Sequence, residues 1–522
     1  MGMVVPGHRL ASAVAVLSQR YGAVSYCAQQ RGVCRQWIYR EAAWVLATLA
    51  GTEHQQQVTQ LGQQVRHLQQ RVAALEKQLA QAVVLDREKQ AEVASVGQAI
   101  GVSLPEVHIL LEVLRPGQIA SVATLGRRTK AAGEQSGVLL AVFDEYTRAQ
   151  VRQAAADEIY VTDPVLMVVE PESLCWVSGR LTESISGEAW AKEFRQLPAL
   201  EQVTRDGGKA LGKGVATVNE ERQKQEAVAV ADQLDHFHTL RGGSQGVRKQ
   251  EGRLREALAE ADARQKEWQR RQRHGQSENG FSHRARDRWA KAGQAMDAWQ
   301  ERDTLWQKTK AALQLITPEG ELNTRGRAEA ILAQTLPQLP DADFAKPKRM
   351  LQQPETLTYL DEVGRKLAVL PVPVEVRQAA IRQEGLRRRP ELLQGDSPCA
   401  AALRGVLLVC AVVLAKAGAV GQLAVQGVQA IFRNTWRASS LVECINSVLR
   451  MHQSRHRKMS QGLLDLKRLY WNCHMFRTGR RRKTTPYQRL GVPWPEGLRW
   501  WDMLKWSPEQ LRDKLSTLKR VE

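Results

Sequence analysis

The chain has 522 residues, and since one hydrophobic core rarely serves more than about 250–300, several domains are expected. Lysine and arginine (75) outnumber aspartate and glutamate (55), giving a net charge of +20, which favours a polyanionic partner. Seven scattered cysteines, never in a CxxC pair, exclude the common zinc sites and suit a reducing compartment.

No uninterrupted apolar run reaches the roughly 18 residues of a membrane span. The longest, Gly405 to Ala415, is expected as a buried helix, and Met1 to Leu10 lacks the charged-then-apolar pattern of a leader. Membrane binding is therefore the weaker use of the charge, and a cytoplasmic location is expected, which the family resemblance given below narrows to the nucleoid.

Residues 1–52 read as a small helical unit. Between Ala23 and Arg40 a small residue, Ala28, precedes Gly32, which suits a close helix crossing and a tight turn. In that helix-turn-helix reading, Arg35, Gln36, Tyr39 and Arg40 face a DNA groove or its phosphates. The same pattern occurs in helical units that never touch DNA.

Residues 53–85 carry heptads. Val58, Leu61, Val65, Leu68, Val72, Leu75 and Leu79 alternate spacings of three and four, with Gln and Arg between them. Valine at one seam position and leucine at the other favours a parallel two-stranded coil. The alternative is one amphipathic helix packed on its own domain. In residues 86–150, Gly97 and Gly101 precede a capping pattern of Ser103, Pro105 and Glu106. This suits either a second helix-turn-helix or a helical hairpin leading onward.

Residues 151–216 change to strands: Asp157 to Val161, Pro164 to Glu170 and Ser173 to Leu181, then a helix from Gly187 to Leu197 and a strand from Leu200 to Asp206. A parallel return needs a crossover, so this order predicts a mixed sheet. The first strand begins with an acid and the fourth ends with one. Residues 217–430 read as a mainly helical insertion carrying Trp268, Trp289, Trp299 and Trp306, a loop tip at Gly275 to Gly280, an irregular connector at Pro337 to Pro354, and buried helix at Ala400 to Phe432. Four tryptophans at helical spacing are expected mainly as core. Residues 431–490 hold an acid-bearing helix and a basic stretch, and 491–522 a tail. Between 450 and 489 there are twelve Lys or Arg against the single acid Asp465.

Three carboxylates are the candidate centre: Asp157, Asp206 in Val203-Thr204-Arg205-Asp206-Gly207-Gly208, and Glu443 in Ser439-Ser440-Leu441-Val442-Glu443-Cys444-Ile445-Asn446. Converging carboxylates suit hard divalent cations, which take oxygen ligands. Asp144 is a rival first acid in helical text, and Glu158 reads as a flanking acid. Asn446 and Arg450 share a helix face with Glu443. His236 and His238 are accessory candidates, for a scissile phosphate if the family resemblance given below holds, although both also suit ordinary polar roles. Arg457, Lys458, Arg480, Arg481, Arg482 and Lys483 are expected to contact DNA phosphates, which position a protein without reading sequence.

These motifs, with Gln233-Leu234-Asp235-His236-Phe237-His238 and the tail from Arg457 to Asn472, resemble the DDE-type transposases of bacterial insertion sequences over roughly residues 150–490. The resemblance implies an α+β chain: a mainly helical multidomain protein around a ribonuclease-H-like mixed β-sheet catalytic core. It implies Asp157, Asp206 and Glu443 as ligands to two Mg²⁺ or Mn²⁺ ions, double-stranded DNA at element ends and target as partner, and a homodimer or higher oligomer on DNA. The interval from Asp206 to Glu443 is several times longer than that from Asp157 to Asp206. The chain thus departs from compact members by a large insertion before the last acid. The competing expectations are a non-catalytic dimeric DNA-binding regulator and a structure-selective nuclease of the same fold.

Overall fold

The computed structural model describes residues 6–49, 54–81, 84–277, 279–453, 459–494 and 497–519. They fall into two compact units, Met1–Asp86 and Arg87–Glu522.

In the first unit, α1 (Pro6–Leu17), α2 (Ala23–Arg31) and α3 (Arg35–Leu49) precede the long α4 (His54–Gln81). Gly32 ends α2 in the left-handed region at φ +62°, its N–H donating to the Ala28 and Gln29 carbonyls. Ile38 is buried, while Arg35, Gln36, Tyr39 and Arg40 lie exposed along α3. A buried acid ties the three helices together. Glu41 accepts from Ser12 Oγ (2.6 Å), Arg31 Nη1 (2.5 Å) and Trp37 Nε1 (2.9 Å).

The Arg31 guanidinium, helped by Ser12 and Trp37, holds the Glu41 carboxyl down at about 2. Because this lies below the unfolded value, the stabilisation is full above about pH 4.5 and is lost as pH falls toward 2. Glu41→Gln should therefore cost roughly 1–3 kcal/mol at neutral pH. Amide exchange across α1–α3 of the intact protein would speed up accordingly; unchanged exchange would show that the network carries nothing.

On α4, Leu61, Val65, Leu68, Val72 and Leu75 are 52–59% exposed. Their own unit does not cover the seam. The side chain of Leu79 lies outside the described residues.

The second unit opens with α5 (Arg87–Ile100), α6 (Leu104–Leu114) and α7 (Val122–Thr147). Ser103 and Glu106 form the expected capping box. A β-carbon on Gly97 would lie 2.5 Å from Val107 Cγ2, so only glycine permits this crossing. The exposed face of α6 is apolar, with Ile109, Leu110, Val113 and Leu114, unlike a helix that reads a DNA groove.

The sheet follows: β1 (Gln153–Tyr160), β2 (Pro164–Glu170), β3 (Cys175–Leu181), α8 (Gly187–Arg195), β4 (Gln202–Arg205), α9 (Lys209–Lys224) and β5 (Ala231–Leu234). Its order is β3-β2-β1-β4-β5. β1–β2 and β2–β3 are antiparallel, and β1–β4 and β4–β5 parallel. The chain is thus α+β, mostly helical around one mixed sheet.

Two details differ from expectation. β1 starts four residues earlier, so Asp157 lies inside the strand; its alanine-rich opening carries no β-branched signal. β5 sits where helix was expected, because Ala231-Asp232-Gln233-Leu234 is half polar. There Asp232 pairs with Arg205 (2.7 and 2.8 Å), and buried Gln233 donates to the Thr356 carbonyl (3.0 Å).

The helical part comprises α10 (His236–Arg273), α11 (Phe281–Ala312), α12 (Arg325–Thr335), α13 (Asp341–Leu351), α14 (Thr358–Ala368), α15 (Val374–Arg388), α16 (Pro398–Lys416) and α17 (Gly418–Arg433). α10 and α11 form a long hairpin, turning through Gly275 and Gly280 at positive φ. Trp306 is core, and Trp289 is 45% exposed.

The expected connector is largely a helix, α13, with Pro347 inside it. Proline removes the N–H that would reach the Asp343 carbonyl, which is why the sequence reads as irregular. Nor is α16 simply buried: Leu408 and Val409 are 67% and 62% exposed. Its 19 residues are long and apolar enough to cross a membrane by length and composition, because Arg404 interrupts the run without ending the helix.

Finally, α18 (Ser440–Gln453) and α19 (Gln461–Cys473) return to the sheet. α8 and α9 cover the sheet face bearing Ala154, Ala156 and Val203. α18 covers the opposite face, bearing Ala155, Ile159 and Met167, through Val442, Ile445 and Leu449. Each of those three side chains contributes roughly 1.5–3 kcal/mol of burial, enough to fix the helix over β1.

Candidate active site

Strand alternation decides which way each acid points. Asp157 shares a face with Ala155 and Ile159, beneath α18, and Glu158 faces the α8 side. Ala156 pairs with Arg205, so Asp157 and Asp206 stand side by side one step past that rung. The Asp206 carboxylate accepts from Gly208 N–H at 2.8 Å, fixing the turn after β4. Glu443 lies in the first turn of α18, near enough for its charge to act on Asp157, with its carboxylate on Arg450 and His238.

Asp157 has no cationic partner among the described residues. It accepts from Asn446 Nδ2 (2.9 Å) and from Glu158 N–H (2.9 Å). Burial, reinforced by the Asp206 and Glu443 charges, pushes its carboxyl up to about 6. Burial likewise raises Glu158, although Trp190 Nε1 donates to it at 2.8 Å. The fold thus holds like charges together, a repulsion that a cation would relieve.

The folded pKa of Asp157 lies above its unfolded value, so this group favours the fold below about pH 3.8 and ceases to do so as pH rises through 6. Asp157→Asn should therefore stabilise the metal-free protein by about 1–3 kcal/mol at pH 7–8. Near pH 4 the gain disappears. Calorimetry in EDTA at both pH values checks it, and a lower melting temperature at pH 8 would refute the repulsion.

His238 belongs to the site. Its Nδ1 bonds Asp235, and its Nε2 lies 3.7 Å from Glu443 Oε1. The bond to Asp235 raises its pKa, with the Asp157 and Glu443 charges adding. Asp235 is fully buried, caps α10 by accepting from Phe237 N–H (2.6 Å), and accepts from Ser439 Oγ (2.9 Å). Sequence reading missed Asp235 as a site residue; its position just before a helix, three residues ahead of a histidine, was the available signal.

His236 is not part of the site. It is buried against the Thr356 carbonyl (2.8 Å) and the edge of Tyr359, and burial lowers it to about 4. Asn446 and Arg450 do line the site, Arg450 as the ion-pair partner of Glu443.

Arg480, Arg482 and Lys483 are exposed in the loop after α19. Arg481 instead donates to the Glu172 and Pro171 carbonyls (both 2.9 Å), so it anchors that loop and is not free for phosphate. Arg457 and Lys458 lie outside the described residues. Arg35, Gln36, Tyr39 and Arg40 belong to the first unit. Asp144, the rival acid, is a structural partner of Arg468 and Arg148.

The donors fit a hard divalent cation in kind: carboxylates, plus a buried Asn446 Oδ1 that has no hydrogen-bond partner. Among the described residues no three acidic, histidine or cysteine groups already stand close enough to enclose an ion. Glu443, turned toward Arg450 and His238, would have to swing inward. Compared with known proteins, the chain matches no family model, no curated protein and no solved structure.

Proposed function

We propose that this chain is a DNA transposase of the DDE type, whose catalytic core has a ribonuclease-H-like fold. The observation that carries the reading is the half-buried Asp157 carboxylate, on the sheet face beside Asp206 and beneath α18, with no ion-pair partner among the described residues. A desolvated acid with other acids for neighbours destabilises the empty protein and is typical of a functional centre. The strand sequence supports the same reading: three antiparallel strands, a helix, then a parallel strand whose end carries the second acid.

Asp157, Asp206 and Glu443 would hold two Mg²⁺ or Mn²⁺ ions. Bound there, such ions lower the pKa of an attacking water or 3′-hydroxyl and neutralise charge on the leaving oxygen. Asn446 orients Asp157. Asp235 fixes the His238 ring so that Nε2 faces Glu443 and can hold a proton at the reacting phosphate. Cleavage at an element end would leave a 3′-hydroxyl for attack on target DNA, with no covalent protein–DNA intermediate. The exposed heptad seam on α4 supports pairing of two protomers, and the open face of α3 supports end binding. The chain would act in the cytoplasm, at the nucleoid.

The test is incubation of the purified chain with linear DNA carrying native element ends in Mg²⁺. Cut ends and joined products are expected. Cutting of branched DNA without joining would point to a structure-selective nuclease, and tight binding without cutting to a regulator.

A further inference from the structure

A cleft of about 470 Å³ opens beside the carboxylates, between the Asp206 loop, α10 and α13. Its lining includes Asp206, Asp235 and His238 together with three cations, Arg241, Lys346 and Arg349. We infer that Arg241, Lys346 and Arg349 form a phosphate-binding shelf, which holds the sugar–phosphate backbone of the nucleic-acid strand as it leaves the carboxylates for the helical insertion. This rests on the phosphodiester reading of the acidic site.

Charge use separates these three cations from Arg253 and Lys348. On the same two helices, Arg253 pairs with Asp343 (2.7 Å) and Lys348 with Asp341 (2.5 Å). Arg241, Lys346 and Arg349 are exposed, and none has an ion-pair partner among the described residues. Arg241 follows His238 by three residues and so shares its helix face; Lys346 and Arg349 are likewise three apart. An acidic centre alone repels a polyanion, and a guanidinium binds phosphate oxygens with a fork of donors. A net charge of +20 makes a nucleic-acid backbone the fitting source of those phosphates.

The shelf is also held rigidly to the chemistry. A β-carbon on Gly207 would lie 2.6 Å from Met350 Sδ, so α13 is seated directly on the Asp206 loop. Similar carbons on Gly242 and Gly246 would lie 3.2 Å from Pro347 Cγ and 2.8 Å from Phe344. These glycines let α10 and α13 approach closely enough to place all three cations around one opening. The insertion thereby becomes a wall of the site.

The experiment measures affinity for a fluorescent duplex against salt, in Ca²⁺, for wild type and for R241A/K346A/R349A. Three lost phosphate contacts should flatten the slope of log K against log salt by about 2–3 and weaken binding at least tenfold at low salt. A charge-matched control, R327A/R365A/R382A, removes ion-paired arginines elsewhere and should keep the wild-type slope; equal melting temperatures verify folding. An unchanged slope in the shelf variant, or an equal change in the control, overturns the shelf. Cleavage in Mg²⁺ is read separately. Wild type that cleaves with a shelf-independent slope keeps the transposase reading and loses the shelf; a shelf-dependent slope without cleavage does the reverse. Wild type with no affinity for DNA overturns both.

Discussion

Asp206→Ala and Asp157→Ala should each lower Mg²⁺-dependent cleavage by about 10³-fold or more, with affinity for the same DNA in Ca²⁺ equal to or tighter than wild type. The expected size follows from the charge these groups would manage. Stabilising a developing oxyanion through a held cation is worth several kcal/mol, and each 1.4 kcal/mol is about tenfold in rate. Affinity should not fall, because each substitution removes a negative charge from a site that, on the proposed function, would accept a polyanion.

His238→Gln should cost less, about 10²-fold, since a positioned proton donor or acceptor contributes about 10²–10⁴. Because Asp235 raises the His238 pKa, that loss should be accompanied by a changed pH profile. A reaction that survives Asp206→Ala at the wild-type rate would remove these acids from the chemistry altogether.

Much of the sheet was readable because its strands are short apolar runs between turn residues, as at Pro164 to Glu170. The early start of β1 and the whole of β5 were not, since alanines and polar residues carry little strand signal and their burial is set by neighbours far along the chain. The same limit hid Asp235. Its partners, His238 and Ser439, are separated by two hundred residues of sequence and meet only when α10 and α18 converge. His236 and His238 look alike in the sequence, but a helical offset of two sends one into the core and the other toward Glu443. For Pro347 local propensity pointed the wrong way: packing against Gly242 keeps it helical.

The two candidate first acids are separated by the sign of their effect on stability. Asp144 is buried at the end of α7, bonded to Arg148 (2.9 Å) and to the guanidinium of Arg468. Arg468 is itself buried and donates to the Trp176 carbonyl (2.8 Å), so it ties α7 and α19 to β3. Asp144→Ala would leave that guanidinium buried without a counter-charge, a loss of about 3–5 kcal/mol. Asp157→Asn should move the metal-free protein the other way at pH 8, because it removes a charge the fold leaves unpaired.

Denaturant titration of both variants provides the comparison. The double replacement D144L/R468M should recover most of what Asp144→Ala loses, since an apolar pair of similar volume often substitutes for a buried ion pair without net cost. If Asp144→Ala is neutral, its carboxylate is not a strut, and the case for Asp157 over Asp144 as the first acid falls with it. If the two variants move in opposite directions, one acid is there to hold the fold together, and the other is held by the fold at a cost that only a ligand can remove.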